Sequence, residues 1–135
     1  MQAADLNDWQ TLVKAFNEKA KQDVGTTPRL PTLEAVKLFL DWQKGIIPEE
    51  LIELVEAIQR NDLPEAADAL VDFIYVILGL ANHMGIALDP LFYAVHDANM
   101  EKFSGPIRDD GKQLKPEGWV PPDIAAELKL QGWEP

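Results

Sequence analysis

Apolar residues recur at the spacing of an α-helix through most of the chain. The first such stripe predicts an amphipathic helix over Leu6–Gln22, and its members are Leu6, Trp9, Leu12, Val13 and Phe16. Two prolines within Gly25–Pro31 end this pattern. Thr32 is positioned to cap a second helix, which we expect to stop near Gly45. The inner face of that helix would carry Leu33, Val36, Phe39 and Leu40.

The middle of the chain predicts two further helices. Pro48 either kinks the second helix or begins a new one, since proline suits the first turn of a helix and little else. A helix over Glu49–Gln59 follows, with Asn61 as its candidate C-cap. Pro64 opens the next helix, which we expect to end at Gly85.

The last third of the chain predicts one long helix and a structured tail. Asp89-Pro90 reads as a cap followed by proline at the first helical position, and the helix holds Phe92, Val95, His96, Asn99 and Phe103. Asp110-Gly111 predicts a tight hairpin or an ordered loop, and Pro121-Pro122-Asp123 begins a short last helix. The short connections indicate an all-α antiparallel four-helix bundle with a short structured C-terminal tail, as a single domain over residues 1–135.

Composition narrows the class of protein. The 135 residues suffice for one domain with its own core. The net charge of −11 argues against a nucleic-acid polymer as partner, because phosphates repel such a surface. The chain has no cysteine, which excludes a disulfide framework, thiol catalysis and cysteine-ligated zinc.

Neither a targeting segment nor a membrane span is indicated by the sequence. Residues 1–9 lack the basic and apolar regions of a signal peptide. The longest apolar run, Phe73–Ala81, is far shorter than the roughly 18 residues that a membrane span needs. We therefore expect a cytoplasmic protein without a membrane partner.

Carboxylates are concentrated between residues 49 and 72, where eight acidic residues accompany one base, Arg60. Within an arc of roughly 120° on the Glu49–Gln59 helix lie Glu49, Glu50, Glu53 and Glu56. On the opposite side lie Leu51, Leu54, Val55 and Ile58. Like charges at this spacing repel by a few tenths of a kcal/mol per pair, and a bound cation reverses that effect. The alternative is an ordinary solvated acidic face.

The next helix adds a second acidic stripe, which spans roughly 60° and consists of Glu65, Asp68 and Asp72. Asp72 directly precedes Phe73–Ala81, a run that is apolar on every side and should be buried. An unpaired buried carboxylate costs several kcal/mol, and the helix carries no Lys or Arg to pair with Asp72. Two antiparallel helices with facing carboxylates predict an oxygen-only site for Mg²⁺ or Mn²⁺. The alternative is that a core tyrosine or tryptophan satisfies Asp72.

Basic residues gather later in the chain, at Lys102, Arg108, Lys112 and Lys115. Asn99 and Lys102 are three residues apart and therefore share one helix face. Trp119 and Trp42 are candidates for stacking on a base, although an aromatic residue in a small protein more often belongs to the core. We assign neither His83 nor His96 to a metal.

The acidic residues resemble the signature of the all-α nucleoside triphosphate pyrophosphohydrolase superfamily, the MazG-like, dimeric-dUTPase-like and phosphoribosyl-ATP pyrophosphohydrolase group. That signature is Glu-Glu-x-x-Glu on one helix and Glu-x-x-Asp on the next, just before an apolar run with a tyrosine. The first half here is Glu49-Glu50-Leu51-Ile52-Glu53. The second half has two possible registers. In one it is Glu65-Ala66-Ala67-Asp68. In the other, Asp72 before Phe73-Ile74-Tyr75 is the aspartate, Ala69 occupies the glutamate position, and Asp68, one residue earlier, stands in for the glutamate.

The resemblance extends to about Ile124. The segment from Val95 to Lys102 is similar to the family segment whose Asn and Lys meet the nucleotide. Residues 110–119, followed by Pro122-Asp123, are similar to the tail of the MazG-like and dUTPase-like branch. The chain departs from the family at Lys44–Pro48, which interrupts a helix that is often continuous in relatives.

The resemblance implies an enzyme that hydrolyses the α–β phosphoanhydride of a nucleoside triphosphate with Mg²⁺, in a role such as sanitation of the (d)NTP pool. The metal ligands that it implies are Glu50, Glu53, Asp68 and Asp72, with Glu65 as a third choice on the second helix. Glu49 is either a ligand or the base that orients the attacking water. The substrate-binding residues that it implies are Asn99, Lys102, Lys112, Lys115 and Trp119, with the lysines closing over the phosphates.

A homodimer is expected, because the amphipathic helices and the run Phe73–Ala81 offer more apolar surface than a 135-residue monomer readily hides. The relatives imply active sites near the interface, and a tetramer is the alternative. Two other functions stay open. One is hydrolysis of phosphoribosyl-ATP in histidine synthesis, which ranks lower because strongly basic phosphate-reading elements are lacking near the acidic helices. The other is a non-catalytic acidic helical dimer that binds a partner protein. It would explain the net charge but not the position of Asp72 at the edge of a buried apolar run.

Overall fold

The computed structural model describes residues 6–135, and this part of the chain is helical without a β-strand. Four long helices make up most of it, and two short helices and a 3₁₀ turn complete it. In chain order these are α1 (Leu6–Lys19), α2 (Leu33–Leu40), α3 (Ile46–Gln59), α4 (Leu63–His83), α5 (Leu88–Glu101), the 3₁₀ turn (Lys102–Ser104) and α6 (Ile124–Leu130). The predicted all-α class is confirmed.

The hairpin of α3 and α4 is the most extensively packed pair of helices. Asn61, between them, takes the left-handed conformation with φ 54°, which asparagine tolerates better than most residues. Its N–H donates to Ile58 O at 3.0 Å, and the N–H of Asp62 donates to Ala57 O at 3.0 Å. These two bonds form a Schellman motif, so Asn61 ends α3 as predicted. The Asp62 carboxylate then caps α4 by accepting the N–H of Glu65 at 3.1 Å.

The second helix is shorter than predicted, since it ends at Leu40 and not near Gly45. The carboxylate of Asp41 turns the chain by accepting the backbone N–H groups two and three residues further on, at 2.8 and 3.2 Å. Gly45 then passes so close to the Asp41 backbone that a Cβ would lie 2.6 Å from it. Pro48 lies in the first turn of α3, where its missing N–H removes no helical hydrogen bond.

A buried histidine ties the connection between α1 and α2 to the end of α4. The N–H of Thr32 donates to His83 Nε2 at 3.1 Å, so the ring proton lies on Nδ1, which donates to Asp23 O at 3.0 Å. Arg29 Nε donates to His83 O at 3.0 Å, and its Nη2 pairs with the Asp23 carboxylate at 2.8 Å. Both ring nitrogens of His83 are therefore used within the chain.

The start of α5 is set by residues distant in sequence. The predicted cap at Asp89-Pro90 is wrong, because the helix begins at Leu88 and its N-cap, Ala87, has no capping side chain. Gln10 Oε1 accepts the N–H of Leu88 at 3.0 Å, and Gln131 Oε1 accepts the N–H of Ala87 at 2.8 Å. These side chains supply the acceptors that a local cap otherwise provides.

Much of the apolar surface of the bundle stays uncovered within one chain. Of the predicted inner face of α1, only Val13 is deeply buried, whereas Leu12 and Phe16 are 68% and 52% exposed. The run over Phe73–Ala81 is buried only in part, because Ile74 and others point outward. Between α1 and α4 this leaves an open apolar groove, lined by Trp9, Leu12, Val13, Val71, Ile74, Tyr75 and Leu78.

The other helices follow the same trend. On α2, Phe39 is buried as predicted, but Leu33 is 81% exposed. The apolar side of α3 is also exposed, at Leu51, Val55 and Ile58. No single helix in the described range is long and apolar enough to cross a membrane; α4 and α5 with the 3₁₀ turn reach that composition only as a pair, bent by 114°.

The C-terminal tail folds as the sequence predicts, around a tight turn. The N–H of Arg108 donates to Lys112 O at 2.8 Å, and an isolated antiparallel bridge pairs Ile107 with Gln113. Gly111 has φ 89°, a conformation that favours glycine. The predicted hairpin at Asp110-Gly111 is therefore confirmed.

Gln113 anchors this tail to the end of α5. Its Nε2 lies 2.8 Å from both Lys102 O and Gly105 O. At Gly105 a Cβ would lie 2.6 Å from Pro116 N, so a larger residue would push the two segments apart. The tail is thus tied to the end of α5 by contacts within the chain, and the expected closure of the lysines over the phosphates stays a prediction.

Candidate active site

Carboxylates of α3 and α4 meet because the hairpin is symmetric about its turn. Glu50 and Asp72 lie eleven residues before and after Asn61, so antiparallel packing brings them to the same level. Glu50 lies on the stripe of α3 that faces α4, which continues at the buried Ala57 two turns later. Asp72 follows the buried Ala69 by three residues on the facing stripe of α4.

One carboxylate oxygen of Glu50 is withdrawn from water in this packing. Its Oε2 is buried without a hydrogen-bond partner, and no other buried side-chain N or O of the described residues lacks one. Burial and the charges of Glu53, Asp72 and Glu49 raise the pKa of Glu50 from 4.5 to about 7. A buried polar atom without a partner is rare in native proteins and is available to a ligand.

Asp68 and Asp72 form a second acidic pair, on α4. Burial raises the pKa of Asp72, and the charge of Asp68 and a hydrogen bond with it raise that pKa further. Glu65 contributes to neither of these shifts, and it lies about 10 Å from Asp72 along the helix axis. The structure thus gathers an acidic cluster and leaves Glu65 outside it. The members of the acidic cluster are Glu49, Glu50, Glu53, Asp68 and Asp72.

The acidic cluster suits a divalent cation chemically. It offers only carboxylate oxygens, the ligands that Mg²⁺ prefers, and a cation would relieve the mutual repulsion behind the raised pKa values. Within residues 6–135, no three acidic or histidine side chains are grouped closely enough to hold a metal ion as they stand. The pairs Glu50–Glu53 and Asp68–Asp72 would therefore have to close on the cation.

A basic cluster forms at the end of α5, which packs on α1 and α6 and has no substantial contact with α3 in the described part of the chain. Lys102 Nζ donates to Asn99 Oδ1 at 2.9 Å, as expected for residues on one helix face. Lys102 Nζ and Lys115 Nζ lie 5.2 and 4.6 Å from the centre of the Trp119 ring. We call Asn99, Lys102, Lys115 and Trp119 the basic cluster.

The remaining residues of the basic segment lie apart from this cluster. Arg108 is paired with Asp110 at 2.6 Å. Lys112 is exposed on the hairpin, and within residues 6–135 its ammonium makes no hydrogen bond, ion pair or ring contact. Trp42, the other candidate for base stacking, is 85% exposed between α2 and α3.

Sequence reasoning missed Gln113, which holds the tail in place. A glutamine in a polar loop belongs to no periodic pattern, and its acceptors lie on a backbone up to eleven residues away. The glycine at position 105 was the available signal, since a glycine just after a helix often marks a close approach of two segments.

The all-helical fold, with acidic residues facing each other across its central hairpin, is that of the all-α nucleoside triphosphate pyrophosphohydrolase superfamily. Residues 13–99 match the family model of phosphoribosyl-ATP pyrophosphohydrolase. That match covers well over half of the chain, and the chain belongs to this family. Membership supports a nucleotide pyrophosphohydrolase activity in general.

One curated relative is the uncharacterized protein L479 of Acanthamoeba polyphaga mimivirus. The two chains are 45% identical over 56 residues, which cover 42% of this chain and 21% of the viral protein. This chain therefore matches about a fifth of the length of that relative.

Proposed function

We propose that the protein is a Mg²⁺-dependent nucleoside triphosphate pyrophosphohydrolase, which cleaves the α–β phosphoanhydride and releases a nucleoside monophosphate and pyrophosphate. The observation that carries the proposal is the buried, unpartnered Oε2 of Glu50, which lies level with Asp72 across the hairpin of a chain in this family. Half-buried carboxylates that repel their neighbours, as Glu50 and Asp72 do, destabilise a fold, and a cation that bridges them to phosphates offsets that cost.

Each member of the acidic cluster has a role in this proposal. The cation ligands are Glu50, Glu53, Asp68 and Asp72, and Mn²⁺ is the alternative metal. When bound, the cation neutralises phosphate charge and makes a nearby water a better nucleophile. Glu49, exposed at the edge of the cluster, accepts the proton of the water that attacks the α-phosphorus, or is a further ligand.

The basic cluster supplies the contacts to the nucleotide. Asn99 offers an amide to the base or sugar, and Lys102 and Lys115 offer ammonium groups to the phosphates. We expect the enzyme to act in the cytoplasm on the (d)NTP pool, as a house-cleaning activity or on a dUTP- or dCTP-type substrate.

We further propose that the enzyme is a homodimer, with a tetramer as the alternative. Among the described helices, α5, which carries Asn99, packs on α1 and α6 and makes no contact of similar extent with α3 or α4, which carry the acidic cluster. The groove between α1 and α4 and the apolar side of α3 are uncovered. A second copy would cover such faces and bring its own elements near the acidic cluster.

Phosphoribosyl-ATP is the second candidate substrate, because the matching family model bears its name. Its cleavage would also release pyrophosphate from an α–β phosphoanhydride, so the same acidic cluster would serve. The difference would lie in the second ribose and phosphate, which need additional binding groups.

The test is pyrophosphate release by the full chain with Mg²⁺, on a panel of common and damaged (d)NTPs and on phosphoribosyl-ATP. Glu53→Gln and Asp72→Asn should lower turnover by about 100-fold or more, because each removes a cation ligand. Glu56→Gln, on the same helix but outside the acidic cluster, should stay within about twofold.

The competing outcomes are distinct. Orthophosphate in place of pyrophosphate would contradict α–β cleavage. Wild-type rates in both ligand variants would contradict the roles given to Glu53 and Asp72. Turnover of phosphoribosyl-ATP but of no (d)NTP would identify phosphoribosyl-ATP as the substrate in place of a nucleoside triphosphate. A folded protein with no turnover of any substrate would favour the non-catalytic acidic dimer.

A further inference from the structure

Trp119 is held in place by its polar edge and leaves its ring available to other groups. Its Nε1–H donates to the carbonyl of Ala98 on α5 at 2.8 Å. Ala98 is itself buried, so this bond fixes the indole against the bundle. A tryptophan anchored in this way cannot turn freely to follow a nucleotide base.

Two ammonium groups meet at this ring. Lys102 reaches it from the 3₁₀ turn and Lys115 from the tail, at 5.2 and 4.6 Å from the ring centre. The two nitrogens are therefore within about 10 Å of each other, at distances typical of cation–π contacts. Residues thirteen apart in sequence are thus brought together by one aromatic side chain.

Neither ammonium is paired with a carboxylate of the described residues. No carboxylate of residues 6–135 lies within ion-pair distance of Lys102 or Lys115, although the chain has 23 acidic residues and a net charge of −11. Arg108, in the same segment, is by contrast paired with Asp110. Two cations over one ring and without counterions are best stabilised by an incoming anion with more than one negative oxygen.

The backbone that carries Lys115 is also fixed. Gln113 binds the tail to the end of α5, and the close crossing at Gly105 permits no extra side chain. Lys115 therefore approaches Trp119 from a segment that contacts within the chain hold against α5. Lys112, on the far side of Gln113, does not reach the ring.

We infer that Trp119 is a positioning residue, which holds Lys102 and Lys115 together as a paired binding site for the diphosphate part of the substrate. The inference rests on the proposed function and deepens it. Trp119 does not stack on the base; its anchored ring keeps the two ammonium groups within about 10 Å of each other, a span that the outer oxygens of a diphosphate can bridge. Lys112 is not a member of the pair.

The test uses inorganic pyrophosphate as the probe, with the full chain in EDTA, and measures binding by calorimetry. Without a divalent cation the acidic cluster repels this anion, so binding reports on the lysine pair. Lys102→Ala and Lys115→Ala should each weaken binding by about tenfold, the value of one charge-assisted contact. Lys112→Ala should weaken it by at most about twofold, and the α6 variant Lys129→Ala should leave it unchanged.

Trp119 variants separate positioning from packing. Trp119→Leu should weaken pyrophosphate binding about as much as Lys115→Ala, because both lysines lose the aromatic ring that they contact. Trp119→Phe keeps an aromatic face and should recover part of that loss. Circular dichroism and urea unfolding identify any variant that fails to fold, and Lys115→Met then tests the pair without touching the tryptophan.

Several results would overturn the inference. One is equal loss in Lys112→Ala and Lys115→Ala, which would mean general attraction by the basic segment. Another is unchanged binding in a folded Trp119→Leu. A third is wild-type protein that turns over nucleotides but binds no pyrophosphate in EDTA, which would leave the proposed function standing. Failure of the proposed function would appear separately, as absence of nucleotide turnover.

Discussion

The protonation state of Glu50 depends on what occupies the space beside its carboxylate. Burial and neighbouring acids raise its pKa from 4.5 to about 7. Between these pH values, and without a cation, the Glu50 carboxyl is therefore protonated in the folded protein and ionised in the unfolded chain. A divalent cation at the acidic cluster would favour the ionised form instead. Proton and metal therefore compete for the same oxygen.

This competition predicts a pH dependence of stability. A raised carboxyl pKa leaves stability unaffected below the unfolded value of 4.5 and lowers it progressively as the pH rises to about 7. In EDTA, the free energy of unfolding should therefore be lower at pH 8 than at pH 5. Glu50→Gln should flatten that slope, and added Mg²⁺ should stabilise the wild type more at pH 8 than at pH 5.

Urea unfolding at the two pH values, with EDTA or Mg²⁺, measures these differences. Glu56→Gln serves as the control, since Glu56 is exposed on the same helix. An unchanged slope in Glu50→Gln would remove Glu50 as the source of the effect. Equal Mg²⁺ stabilisation at both pH values would contradict competition between proton and metal.

Single residues differ in how far the sequence reveals their roles. Glu50 and Asp72 are predictable because a motif and an adjacent apolar run mark them. The anchoring of Trp119 is not, because its acceptor is a backbone carbonyl 21 residues away and no local pattern encodes that distance. Glu65 matches the motif in residue type and spacing, yet it lies two helical turns from Asp72 on α4.

At the scale of elements, the connection between α1 and α2 depends on His83. Replacing it by alanine leaves the N–H of Thr32 and the carbonyl of Asp23 without their buried partner. His83→Ala should therefore lower the free energy of unfolding by about 2 kcal/mol or more. His96→Ala changes the other histidine of the chain, which is exposed on α5, and should stay within about 0.5 kcal/mol.

Urea or thermal unfolding at neutral pH compares the two histidine variants. Similar stability in both would show that the contacts of His83 contribute little. A large loss in His96→Ala would point instead to an unrecognised contact on α5.

The sequence predicts the long helices but not the residues at which they begin and end. The hydrophobic period marks each long helix because one face must be apolar. Helix ends depend on single hydrogen bonds, some of them from distant residues. α1 stops at Lys19 because Lys21 takes the left-handed conformation with φ 58°, and α5 starts at Leu88 because Gln10 and Gln131 accept its first N–H groups.

At the scale of the whole molecule, one chain exposes more surface than a monomer of its size should. Its accessible surface is 9893 Å² for 15.1 kDa, whereas the usual scaling with mass gives about 7,100 Å². Contiguous exposed apolar residues, such as those of the groove between α1 and α4, mark interaction surfaces. Periodicity assigns these residues to an inner face but cannot tell a core within one chain from an interface between two.

The homodimer is tested at the groove between α1 and α4. Leu12→Glu places a charge on this apolar surface and should convert the dimer into a species of 15.1 kDa at micromolar concentration, measured by sedimentation. Leu130→Glu, at an exposed apolar residue of α6, should leave the dimer intact. A wild-type mass of 15.1 kDa would contradict the dimer, and dissociation by both variants would contradict the choice of groove.

The turn around Asn61 also limits how this chain can change over evolutionary time. One inserted or deleted residue there would rotate α4 by about 100° relative to α3 and turn Asp72 away from Glu50. Substitutions on the surface of either helix have no such effect, so their sequences can diverge while the spacing stays constant. The turn contributes no atom to the acidic cluster, yet descendants of this protein should keep its length longer than they keep most of its residues.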